Sequence, residues 1–144
     1  MIKIFIDLLG ISLVATLAMT LFSYALSYLT KSKFEEPQLL NLLVSRHKRL
    51  KYLTSREHII GWALHFGIGL VFVILFYVVH KLFDVSITYS FGAFFGFIAG
   101  IAGVLGWQIL LYIHPDPPDF NRKLFFIQLI IAHIIFGLTI ITIY

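Results

Sequence analysis

The amino-acid sequence predicts an all-α fold: an integral membrane, antiparallel four-helix bundle with a short cytoplasmic interfacial helix. Three observations carry that prediction. Hydrophobic residues make up 60% of the 144 positions and charged residues 12%, whereas a soluble domain holds about 45–50% apolar and about 25% charged residues. Four apolar stretches, residues 4–29, 58–80, 86–113 and 124–144, each supply the roughly 20 helical residues that cross a hydrocarbon core. The connections are short, so residues 1–144 are expected to form a single four-span transmembrane domain. Lipid offers the backbone no hydrogen bonds, which selects helices for every span, and short loops make neighbouring helices antiparallel.

The first span is far longer than the roughly 7–15 apolar residues of a secretory signal, and no A-x-A site follows it. It is read as a retained helix. Its small hydroxyl residues Ser12, Thr16, Thr20, Ser23 and Ser27 recur at helical spacing and suit hydrogen bonding between helices.

Between the first two spans, Glu35 and Glu36 precede Pro37, a pattern that opens a helix at its positive dipole end. An apolar half, Leu39 to Val44, then precedes the basic "SRHKRLK" of residues 45–51. This order predicts a helix in the membrane interface. Arg46, Lys48, Arg49 and Lys51 would face anionic headgroups, and a partner-docking helix is the alternative. Thr54 and Glu57 form a capping box at the start of the second span.

Nine of the eleven Lys and Arg residues fall in segment 31–57 and loop 114–123; Lys3 and Lys81 are the other two. The basic side is therefore expected to be cytoplasmic, with both termini outside. The charge of +4 is thus assigned to lipid and not to nucleic acid. The absence of cysteine excludes disulfides and thiolate chemistry. No phosphate-binding loop, nucleophile elbow or H-E-x-x-H pair occurs, so no catalytic residue is assigned.

In the third span Gly92, Gly96, Gly100, Gly103 and Gly106 recur every three or four residues, one groove along a helix that lets a neighbouring backbone approach closely. Gly61, His65 and Gly69 share a stripe in the second span, and His133 and Gly137 share one in the fourth. Counting at 1.5 Å per residue from Glu57 and Lys123, His65 lies about 12 Å deep and His133 about 15 Å deep. Gln108 and Thr20 fall at a similar level. These four residues are the candidate intramembrane polar site. His114, Asp116 and Asp119 in the "PDPPD" turn form too weak a donor set for a metal to be assigned.

Three readings of the polar layer stand side by side. It is an interhelical hydrogen-bond network in a structural or interaction subunit, self-associating or bound to another membrane protein; this is the leading reading, and it requires no cofactor. Alternatively, His65 and His133 hold haem b or a metal between helices. A third reading is a transport or proton-path accessory, for which the sequence shows no membrane-embedded carboxylate.

"ATLAMTLFSY", "GWALHFGIGLVF" and "AHIIFGL" together resemble a family of small bacterial integral-membrane proteins marked by A-T-x-x-M, G-W-x-x-H-[YF]-x-x-G and H-x-x-F-G segments. The resemblance covers most of the chain. It implies four spans in a bacterial inner membrane, with Gly61, Trp62, His65, Gly69, His133 and Gly137 at characteristic positions, and no particular reaction. The chain departs from the pattern at His114-Pro115, where the family places a glutamine before the proline.

Overall fold

The computed structural model describes residues 2–47 and 57–144, without the side chains of Glu57 and His58. All regular structure among these residues is helical: α1 (Ile2–Thr30), α2 (Glu36–Arg46), α3 (Glu57–Phe83), α4 (Tyr89–Ile113) and α5 (Arg122–Ile143). Four of the five are long and apolar enough to cross a membrane. Their outer faces carry exposed large apolar residues, among them Leu21, Val71, Phe94 and Ile109. An apolar surface of that extent needs lipid or protein against it.

The helix ends follow from local chemistry. Lys31 and Asp84 adopt positive φ angles of 54° and 47°, the left-handed turn that stops a helix after its last carbonyl. At the end of α3 the His80 Nδ1–H donates to Val85 O over 2.7 Å, and α3 runs three residues past the expected end at residue 80. Thr88 accepts from Phe91 N and caps α4, which therefore starts three residues later than the apolar run. Asn121 accepts from Leu124 N and caps α5. His114 Nε2–H donates to Leu43 O at 2.8 Å while Nδ1 accepts from Asp116 N. Nε2 thus ties the end of α4 to α2, while Nδ1 holds the Pro-rich turn to the same ring.

The long helices pack in the order α4, α5, α1, α3, with α2 set against α3. The α4–α5 contact is the glycine groove. A β-carbon on Gly96 would collide with His133 O, one on Gly100 would lie 2.8 Å from Ile130 Cα, and one on Gly137 would collide with Gly92 O. Gly103 faces the His133 ring, whereas Gly106 has open space. Gly69 admits the Thr16 hydroxyl of α1.

Helix α2 departs from the expectation of an interfacial helix. Glu36, Pro37, Leu39, Leu40, Asn41 and Leu43 are buried. Gly61 is the reason: its missing side chain admits Pro37 O, and its N–H donates to Asn41 Oδ1 over 2.7 Å. Leu39, Leu40 and Leu43 then join Trp107, Leu111, Phe125 and Leu129 in one apolar cluster, removing from water the surface that an interfacial helix would have given to lipid. Arg46 remains exposed beside Asp116 and Pro117 O, whereas Lys48, Arg49, Lys51, Thr54 and the Glu57 side chain of the expected capping box lie outside the described residues. A second cluster, built around Phe76, Phe136, Ile140 and Val73, fills the other end of the bundle.

Candidate functional site

Between the two apolar clusters lies a polar layer. All five small hydroxyl residues of α1 are buried, and their hydrogen bonds fix the protonation pattern around them. Thr20 Oγ1–H donates to Thr16 O at 2.6 Å. Its only hydrogen is thereby used, so the 2.9 Å contact with His65 Nε2 has the imidazole as donor. His65 is therefore the Nε2–H tautomer, with a lone pair on Nδ1. His133 Nδ1 lies 2.8 Å from Leu129 O. A carbonyl only accepts, so Nδ1 carries the hydrogen and Nε2 carries the lone pair. The His133 ring packs edge-on against Phe72 at 5.7 Å.

The layer also contains a carboxyl group that the sequence reading placed in the cytoplasmic segment. Glu36 is 2% exposed. Its Oε1 accepts from Ser23 Oγ at 2.8 Å and Gln128 Nε2 at 3.2 Å, and the same amide donates to Ser23 Oγ at 2.5 Å. Its Oε2, like Thr16 Oγ1 and Gln128 Oε1, is buried without a hydrogen-bond partner. Burial pushes the Glu36 carboxyl up from 4.5 to about 7 against the opposing pull of its hydrogen bonds. The sequence offered no membrane-embedded carboxylate; α2, which is not one of the four apolar spans, carries Glu36 into the protein interior.

These groups surround a cavity of about 170 Å³ whose wall includes Thr16, Glu36, His65, Gly103, Trp107 and His133. The remaining wall is mostly apolar. Ile68 of α3 and Ala102, Gly106 and Leu110 of α4 also line it and are exposed on the outside of the molecule. The cavity therefore opens sideways, between α3 and α4. Those two helices meet through Phe76, Phe91 and Phe95 beyond the cavity. On the side away from α2 the interior is sealed by Val73, Phe76, Phe136 and Ile140, none more than 1% exposed.

Of the four residues singled out in the sequence, Thr20, His65 and His133 share this interior. Gln108 does not. It is exposed, because it follows the inward-facing Trp107 and one residue turns a helix by about 100°. Depth along a helix carries no information about direction around it. Gln128 is the amide that faces inward; it lies on the stripe of Phe125, Ala132 and Phe136, a spacing that would have identified it. Glu36 had a weaker signal, an acid next to proline at the head of an apolar run.

A haem does not fit this arrangement. His65 Nε2 is engaged by Thr20, and the 170 Å³ cavity is close to the roughly 150 Å³ that holds a single benzene ring. A macrocycle is several times larger. The described residues also contain no cluster of three or more His, Asp or Glu side chains suited to a metal ion. In comparisons with known proteins, no family model, curated protein or solved structure matches the chain.

Proposed function

We propose that this chain is a multi-pass protein of a bacterial inner membrane that binds a small lipid-soluble molecule between its helices. The cavity carries the reading. It has apolar walls, a few convergent polar atoms and a mouth on the apolar surface between α3 and α4, which is the usual composition of a ligand site. The structural-subunit reading rests on the glycine groove, and that groove is filled by the chain's own α5. A proton or solute path would have to pass Val73, Phe76, Phe136 and Ile140, whose apolar side chains close that end of the described interior.

Saturable binding of propylbenzene to the protein in lipid nanodiscs is the test, read through Trp107 emission in a Trp62→Phe background. Gly106→Leu should abolish it, because Gly106 lines the mouth and a side chain there meets no neighbour. Non-saturable partitioning, unchanged in Gly106→Leu, would reject a binding site.

The excess of basic residues around 31–57 and 114–123 supports a cytoplasmic position for that end and outside termini, with anionic headgroups as lipid partners. The chain has no cysteine, so single substitutions report topology cleanly. Ser86→Cys should react with an impermeant maleimide on intact spheroplasts, and Ser32→Cys only after they are opened. The reverse pattern would invert the topology.

A further inference from the structure

Resting on that reading, we propose that the occupant of the cavity is a ring bearing a hydroxyl group, a phenol or quinol head whose hydrocarbon tail leaves between α3 and α4 into the bilayer. The hydrogen-bonding pattern of the site supplies the chemistry. His65 Nδ1 and His133 Nε2 are lone-pair nitrogens, since the opposite nitrogen of each ring carries the hydrogen that meets Thr20 Oγ1 or Leu129 O. Among the described residues neither lone pair receives a hydrogen bond. His65 and His133 both line the cavity, and their lone-pair nitrogens call for a ligand that brings O–H donors, because an acceptor left unsatisfied away from water is costly.

Glu36 adds a third position. Both side-chain hydrogen bonds to its carboxyl converge on Oε1, so a proton on this acid resides on Oε2, which has no partner among the described residues. A ring oxygen accepts from that proton while its own hydrogen reaches an imidazole. An ammonium head would also satisfy the acceptors, but it would place a full charge among apolar walls, with Glu36 as the counter-charge among the described lining residues. Size restricts the head further. The 170 Å³ available fits one aromatic ring and falls well short of the roughly 300–1,000 Å³ of ordinary drug-sized pockets. Phe72, lining the cavity and edge-on to His133, offers such a ring an aromatic neighbour.

The experiment compares 4-propylphenol, propylbenzene and 4-propylbenzylamine at equal concentration in the lipid, on the full chain in nanodiscs. The phenol should bind about tenfold more tightly than the hydrocarbon, the effect of one net hydrogen bond, and His133→Met should erase the difference. The ¹⁵N resonance of wild-type His133 Nε2 should move on phenol addition and stay in place with propylbenzene; this readout survives even if His133→Met fails to fold. Equal binding of phenol and hydrocarbon, or tightest binding of the amine, would overturn the hydroxyl assignment and leave the cavity reading intact. Failure of all three probes to saturate would overturn both.

Discussion

Glu36→Gln is expected to abolish a pH dependence that the wild-type chain shows between about pH 4.5 and 7, and to hold α2 more firmly in the bundle at neutral pH. The carboxyl is buried between Ser23 of α1 and Gln128 of α5, and burial raises it from 4.5 to about 7. Below pH 4.5 the acid is protonated whether α2 is docked or not, and docking is at its strongest. Between 4.5 and 7 an undocked α2 releases the proton while the docked one retains it, so docking weakens by about 1.4 kcal/mol per pH unit. Above 7 both forms are ionised and the loss levels off at about 3 kcal/mol.

Hydrogen bonds from Ser23 and Gln128 offset only part of the rise caused by burial, and Glu35 adds to it; His65 and His133 line the same cavity as neutral rings. A glutamine keeps the acceptor towards Ser23 and Gln128 and sets a permanent donor where the acid holds its proton. Amide exchange of Leu39–Leu43 in nanodiscs, corrected for intrinsic rates, measures this directly. Protection should fall as wild-type protein passes from pH 4.5 to 7 and stay level in Glu36→Gln. Equal profiles for the two would show that Glu36 does not govern docking. Because Glu36 and Leu40 form part of the cavity wall, the same titration would open the site from the basic end.

The four long helices were legible in the sequence because length and apolarity alone decide what can cross a hydrocarbon layer. Close packing was legible as well: the glycine spacing of three and four marked a groove, and α5 fills it at Gly92, Gly96, Gly100 and Gly103, though not at Gly106. The interior chemistry was legible only in part. Helical periodicity placed His65 and His133 on packing faces, and both are buried, but the same depth count admitted Gln108, which points away. Depth along a helix and direction around it are independent quantities, and only a full stripe of neighbours fixes the second. Glu36 escaped for a different reason. An acid before proline at a helix start is satisfied equally by solvent and by the helix dipole. What moves it inside is the fit of Pro37 and Asn41 onto Gly61, a contact between residues some twenty positions apart that no local pattern announces.

That dependence on bare glycine backbone leads to the second large effect, Gly96→Leu. A β-carbon at Gly96 would collide with His133 O and lie 2.8 Å from Ile134 Cα. Both are backbone atoms of α5, which cannot turn aside as a side-chain tip can. The helices must separate along their closest contact, and the loss should reach about 3 kcal/mol, the upper part of the range for overpacked interiors. This exceeds the roughly 0.5–1 kcal/mol gained when a helix loses a glycine. Gly10→Leu is the matched control: a side chain there meets nothing within 4 Å, so only the propensity gain remains, and lipid receives the added surface. In detergent, Gly96→Leu should unfold at markedly lower temperature than wild type while Gly10→Leu matches or exceeds it. Equal stability of the two variants would mean that α4 and α5 do not meet through this groove. The substitution also reaches the site, since the carbonyl that meets Gly96 belongs to His133. Displacing that backbone turns the imidazole away from the cavity, so any Gly96→Leu protein that remains folded should bind the phenolic probe no better than the hydrocarbon.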